Sequence, residues 1–388
     1  MRLLHIINSV NPVSGGPIEG VFRQDGATRD LGLREVLSLD HPDDPWVASS
    51  PIKVHAMGGR KAKGGFLGHY GYSPDMVPWL KAHVGDYDAV IVNGLWNYAT
   101  FGASRVLPHA QTPYFVFTHG MMDPWFRQTY PLKNLAKQGF WQFCEGPLTK
   151  GAKAVLFTTE EEKLLARGEF WGADYKEQVV GYGTATAPVK TPAQATAFAE
   201  KTPDLKGRPY LLFLSRIHPK KGVDLLIEAF ARTAALQPDL QIVVAGPDQT
   251  GWVATLKARA EALGIADRLH WPGMLQGDAK WGAYYGAEAF ILPSHQENFG
   301  IVVAEALACG KPVLISDKVN IWREIKAGGG WLVEPDTVDG AEALLRGWHA
   351  LSGADRAKMG EAGRAVFTGN FDMAVSAPNL LRMIETYF

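Results

Sequence analysis

Cysteine is almost missing from this chain: Cys144 and Cys309 are the only two in 388 residues. That excludes a disulfide framework, and with no Cys/His cluster at ligand spacing nothing points to a structural zinc site. Net charge is nearly missing too, at −1, so no general affinity for nucleic acid is implied. No apolar run approaches the ~20 residues that a membrane-spanning helix needs. The opening segment meets Asn8, Ser9 and Pro12 too early for a secretory signal and reads as a first buried strand, which points to a cytoplasmic protein, peripheral to a membrane at most. No Gly-x-Gly-x-x-Gly follows an early strand with an acid about 20 residues later, which argues against a nicotinamide-dependent oxidoreductase.

What is present is the 46% hydrophobic content of an ordinary globular protein, in a chain long enough for two cores. Short apolar runs of strand length occur at residues 3–7, 53–56, 89–92, 114–118, 154–158 and 179–182, and again at 210–214, 241–245, 269–271, 289–292, 313–315 and 330–333. Helical or loop segments separate them, an alternation that gives doubly wound α/β sheets. Residues 184–209 hold several prolines and no sustained apolar period, and read as a linker between the two blocks. The expected architecture is two parallel sheets facing one another across a cleft.

The most informative run is His295-Gln-Glu297-Asn-Phe-Gly300-Ile-Val-Val-Ala-Glu305-Ala-Leu-Ala-Cys-Gly310, which places seven residues between two glutamates. The apolar residues before it read as a strand, and helix formers from Phe299 onward end at Gly310, so the two carboxylates flank a helix start, with Glu305 about two turns beyond the loop. The amides near Gly300, Ile301 and Val302 could hold a diphosphate there, while one carboxylate meets a sugar and the other a ribose. Spacing by itself leaves a second reading open, two solvated glutamates favoured by the helix macrodipole. Upstream, residues 210–230 read as strand, basic loop and helix. Arg216 and Lys221 lie in that loop as a fork donor and a point charge where a diphosphate would arrive, or as ordinary surface cations.

With these segments in view the chain resembles the retaining, nucleotide-sugar-dependent glycosyltransferases of GT-B fold that carry a Glu-x7-Glu motif (group 1, or family 4 type). The matching text is Ser215-Arg216-Ile-His-Pro-Lys-Lys221-Gly222, Val244-Ala-Gly246-Pro, Gly273-Met274-Leu275, and Pro293 through Gly310-Lys-Pro-Val, most of residues 208–335. The resemblance implies that Arg216 and Lys221 bind the donor diphosphate, Glu305 the ribose, and Met274 with Gly273 and Leu275 the base. Glu297 with the backbone of Asn298, Phe299, Gly300 and Ile301 would hold the transferred sugar. It calls for no metal and no other cofactor, the nucleotide sugar being itself the donor substrate. It also implies an acceptor-binding domain over 1–185, a linker over 186–207, a nucleotide-sugar domain over 208–366, and a final helix over 367–388 returning to the first domain.

The first block adds candidates. Gly15 and Gly16 form a turn after the first strand, either an ordinary turn or, as in the family, one lying against donor phosphates. His119 ends another strand. A lone histidine is more often structural, but the family's matching histidine contacts the donor sugar, so it is expected as an orienting group and not a general base. Asp123 and Trp125 follow as possible acceptor contacts. Residues 125–153 mix six aromatics with five cations against the single acid Glu145. They read as a core helix with a solvated basic face or as a surface for an anionic membrane, which would suit a saccharide or lipid-linked saccharide acceptor. Rival readings are a GT-B sugar phosphorylase, a nucleotide-sugar epimerase and a non-catalytic sugar-nucleotide-binding subunit.

Overall fold

The computed structural model describes residues 1–12, 15–59 and 70–388; Val13 and Ser14, inside the Gly-rich turn, lie outside them. The chain divides into two compact units, Met1–Tyr182 with Met373–Phe388, and Gly183–Asp372.

In the first unit seven parallel strands are ordered β3-β2-β1-β4-β5-β6-β7: β1 Arg2–Ile7, β2 Leu33–Ser38, β3 Lys53–Ala56, β4 Ala89–Asn93, β5 Tyr114–Phe117, β6 Ala154–Phe157 and β7 Glu177–Val179. The second unit orders six parallel strands β10-β9-β8-β11-β12-β13: β8 Tyr210–Leu214, β9 Gln241–Ala245, β10 Leu269–Gly273, β11 Ala289–Leu292, β12 Val313–Ser316 and β13 Trp331–Glu334. The central strands are buried along their whole length, as β4, β5, β9 and β11 show. Helices therefore cover both faces, which is why the runs read as continuously apolar and not as alternating. Since every pairing is parallel, the loops that follow the strands gather at one edge of each sheet. Strand order reverses between β1 and β4 and between β8 and β11, and at such reversals doubly wound sheets leave a crevice for ligands.

Three expectations need correction. β2 was not read from the sequence because Arg34 and Glu35 break its apolar run, yet both side chains are buried. The expected linker contains the helix Pro192–Lys201. Thr191 caps it reciprocally with Gln194, and it lies against the helix Gly277–Gly286 so closely that a Cβ on Gly282 would meet the Gln194 carbonyl at 2.0 Å. The chain also passes back to the first unit later than position 367: Phe371 packs edge-on against Phe299 at 5.5 Å, and the returning part, Met373–Phe388, is the helix Met373–Glu385 and the three residues after it, where Tyr387 meets Phe115 at 5.4 Å.

Candidate active site

In the second unit, the β8–β11 reversal brings the two main motifs together. Gly222, at φ 69°, turns the chain from the short helical turn Pro219–Lys221 into the helix Val223–Thr233. A Cβ there would meet the Pro293 carbonyl at 2.0 Å, so glycine allows the basic loop to lie directly on the loop after β11. His295 N and Ser294 Oγ both donate to the Lys220 carbonyl, at 2.8 and 2.9 Å. Lys221 is consequently buried, and its Nζ donates to Glu297 Oε2 at 2.5 Å and to the Gln296 carbonyl at 3.1 Å. The Glu297 backbone is held on its other side, its amide donating to Lys318 O and its carbonyl accepting from Asn320 N. Burial first, then Arg216, Lys220 and Lys221, hold the His218 imidazole below its ordinary pKa, a sign of the positive field in this loop.

Gly300, left-handed at φ 77°, opens the helix Ile301–Ala308. Glu305 stands one turn into that helix, not two. Its carboxylate is buried, Oε1 accepting from Lys280 Nζ at 2.9 Å and Oε2 from the Tyr284 hydroxyl at 3.0 Å. Arg216 is exposed and donates to Gln249 Oε1 at 3.3 Å, so it does not join the Lys221–Glu297 pair directly. Gly246 follows β9 and donates to the Gly273 carbonyl at 2.8 Å. Met274 is exposed while Leu275 is buried. Phe299 turns its ring into the core against Phe371, leaving only its backbone to the helix start.

In the first unit, Gly15 precedes the helix Gly16–Thr28, whose first carbonyl accepts from the Tyr182 hydroxyl at 2.9 Å. His119, just past β5, has φ 49°, uncommon for a residue with a side chain. The loop is held there by the buried carboxylate of Glu162, which accepts from Thr118 Oγ1 and Gly120 N and, on its other oxygen, from Thr158. The His119 ring stacks on Phe117 at 4.3 Å, its Nε2 lies 3.1 Å from Asn93 Oδ1, and burial pushes its pKa down to about 3. Asp123 accepts from Trp125 N at 2.8 Å. Lys137 Nζ sits 4.2 Å from the centre of the Phe126 ring and 5.0 Å from that of Trp96. Trp96 N donates to Glu145 Oε1 at 2.9 Å, and burial pushes the pKa of that carboxyl up to about 7.

Residues 194–366 match the family model described as Glycosyl transferases group 1, and residues 27–183 that of the Glycosyl transferase 4-like domain. The solved structure of Anabaena HepE with UDP and glucose superposes with a TM-score of 0.74 at 17% identity over 100% of both chains. The fold is GT-B. Together the two family matches and the GT-B fold support a group 1 glycosyltransferase. Similar proteins include a D-inositol 3-phosphate glycosyltransferase from Geodermatophilus obscurus, 34% identical over 209 residues, 52% of this chain and 46% of that one. A phosphatidyl-myo-inositol mannosyltransferase from Mycolicibacterium smegmatis is 28% identical over 271 residues, 63% and 66% of the two chains. The chain thus spans about half to two-thirds of the length of these curated relatives.

Several site residues of this GT-B chain were not foreseen. Lys280 and Tyr284 come from the helix before β11, where only their spacing of four on one helical face was available as a signal. Asn93, the last residue of β4, lay one position past the apolar run 89–92. The chain's one Asp-x-Asp triplet, Asp86-Tyr87-Asp88, precedes β4 at the opposite edge of the sheet, where Asp88 accepts from Arg2 N at 2.6 Å.

Proposed function

We propose that this GT-B chain moves a hexose, with retention of anomeric configuration and without a metal, from a nucleoside diphosphate sugar of the UDP-glucose or GDP-mannose type to a saccharide or lipid-linked saccharide. The observation that carries the reading is the buried Lys221 held 2.5 Å from Glu297 at the strand-order reversal, beside the opening of the Ile301–Ala308 helix. A lysine, a neighbouring exposed arginine and free helix amides suit a diphosphate whose charge grows as it departs. Glu297 suits the hydroxyls of the sugar that is left.

In this mechanism the bond from the anomeric carbon to the diphosphate oxygen breaks while the acceptor oxygen bonds to the same face. The acceptor's proton passes to the departing phosphate oxygen. Lys221, Arg216 and the amides of Ile301 and Val302 stabilise the leaving charge, so catalysis is mainly positioning and electrostatics. Glu305 would bind the ribose and the edge at Gly273, Met274 and Leu275 the base. His119 orients the sugar as a neutral hydrogen-bonding ring.

Two observations bear on the acceptor. The similar proteins named above act, by their names, on inositol phosphate and phosphatidylinositol, which puts an inositol-bearing acceptor beside envelope and exopolysaccharide saccharides. Among the described residues no helix is long and apolar enough to cross a membrane. Instead Leu132, Leu135 and Phe143 are exposed, as are Lys133 and Arg127, the latter paired with Glu169 at 3.1 Å, side chains suited to the inner leaflet.

The test is nucleoside diphosphate release across UDP-, GDP-, ADP- and dTDP-sugars, with and without EDTA, followed by the anomeric configuration of the product. Selective, EDTA-resistant release with retention is expected. Dependence on free phosphate would favour a phosphorylase, turnover without an acceptor an epimerase, and binding without turnover a non-catalytic subunit.

A further inference from the structure

Four adjacent strands of the first unit each contribute one polar group to a row. In the order β2-β1-β4-β5 these are Arg34, His5, Asn93 and, just past β5, His119. Arg34 pairs in register with Leu3 and so shares the sheet face of His5.

The backbone decides which way the Asn93 amide points. Its Nδ2 lies 3.1 Å from the Ile91 carbonyl and 3.4 Å from that of Ile6. Carbonyls only accept, so the NH2 must be on that side and Oδ1 must face His119. That oxygen also only accepts. The His119 Nε2, 3.1 Å away, must therefore carry the ring's hydrogen. Because burial keeps the ring neutral, Nδ1 is left with a bare lone pair, and it has no partner among the described residues.

The same logic runs on to His5. The Asn93 NH2 lies 3.3 Å from His5 Nδ1, which must accept, so the hydrogen of His5 is on Nε2, buried and unpartnered among the described residues. A protonated His5 would present N–H to that NH2 and turn the amide over. Burial and the neighbouring guanidinium of Arg34, itself buried with none of its three nitrogens bonded among the described residues, oppose this protonation.

We propose that Asn93 is a positioning residue that fixes His119 with its hydrogen on Nε2, making Nδ1 an acceptor for a hydroxyl of the donor sugar, with His5 and Arg34 holding the amide in that orientation. The choice of tautomer stands on geometry, while the sugar contact rests on the reading of His119 given above. The site would then select against a sugar that offers no hydrogen at that position, a deoxy or deoxyfluoro analogue.

The deciding experiment is nuclear magnetic resonance on the full chain carrying nitrogen-isotope-labelled histidine. Long-range correlations from the ring carbons' hydrogens tell protonated from bare nitrogens, and His119→Ala assigns the signals. A single form with Nε2 protonated is expected. Nδ1 protonated instead would overturn the proposal, with no activity assay and no other variant needed. Asn93→Ala is expected to give mixed tautomers and to lower kcat/KM by about 10-fold. Combined with His119→Ala it should have no added effect, and additive losses would overturn the coupling. If no nucleotide sugar is turned over at all, the functional reading fails while the resonance measurement still decides the tautomer.

Discussion

The two units differ in how they treat certain ionisable groups around their strand-order reversals. In the second unit each glutamate of the Glu-x7-Glu pattern meets a lysine, Glu297 with Lys221 at 2.5 Å and Glu305 with Lys280 at 2.9 Å. In the first, four groups are stripped of charge or of partners: burial drives His5 and His119 down to about 3 and Glu145 up to about 7, and Arg34 has no hydrogen bond among the described residues. Paired charges can trade partners, so under the proposed function Lys221 would turn to an arriving diphosphate while Glu297 turns to a sugar hydroxyl. Neutral buried groups cannot trade, and they keep a fixed shape. Under the proposed function, the difference would give charge handling to the second unit and orientation to the first.

The strongest way to break that division is to remove the trading partner. Lys221→Ala should lower turnover by about 100- to 1000-fold, the scale of losing one preorganised electrostatic group. Its fold should survive, because Glu297 is 21% exposed and can be solvated once the lysine is gone. Glu297→Ala should act comparably. Steady-state kinetics beside a thermal melt checks both, and a near-normal rate in either would remove charge handling from this loop.

Glu305 should behave differently although its pairing looks alike. Its carboxylate is 5% exposed and has a tyrosine as second donor, which suits a fixed ribose contact away from the reacting carbon. Glu305→Gln should raise KM for the donor by about 10-fold and leave kcat little changed, since binding shared by ground and transition states moves KM alone. A fall in kcat with constant KM would place Glu305 at the chemistry instead.

This contrast shows what the sequence could carry. Strands such as β8 and β11, the basic loop between Ser215 and Gly222, and the helix opening at Gly300 were legible because strand length, glycine and helical spacing are short-range signals. The Thr191-Pro-Ala-Gln194 capping box was also in the text and was outweighed by the prolines around it. The pairing of Glu305 with Lys280 was not legible, since it depends on how two helices pack. Nor was the row from Arg34 to His119, whose members come from four strands that become neighbours only when the sheet forms. β2 was hidden for the same reason, because a buried arginine and glutamate read as surface until the cover above them is known.

Glu145 sharpens the first unit's side of the comparison through pH. Its folded pKa of about 7 lies above the ordinary 4.5, so between those values the folded chain holds a proton that the unfolded chain has released, and stability falls as pH rises. His5 and His119 act the other way: below their ordinary 6.5 the unfolded chain binds protons that the folded chain refuses, and stability rises with pH up to there. Stability should therefore rise up to about pH 6.5 and fall only slightly beyond it. Glu145→Gln should steepen that rise, by on the order of 3 kcal/mol summed between the two Glu145 values, and remove the small fall after it, as measured by denaturant melts from pH 4.5 to about 8.5. An unchanged profile would mean that Glu145 is charged in the folded state.

The smallest effect belongs to the surface of the first unit. Leu132 and Phe143 are 85% and 73% exposed beside a basic helix, and neither touches a group assigned above to the donor. Replacing both with serine should weaken sedimentation with anionic vesicles by several-fold at low salt, since each removes apolar area and leaves the cations in place. Turnover with a water-soluble acceptor should be unchanged, because the proposed function gives that step to the second unit's charges. Loss of turnover on a soluble acceptor would move this surface from membrane docking into the acceptor site itself. Retained vesicle binding would leave the cations Arg127 and Lys133 to act alone, at about 1 kcal/mol each, and the binding should then vanish at high salt.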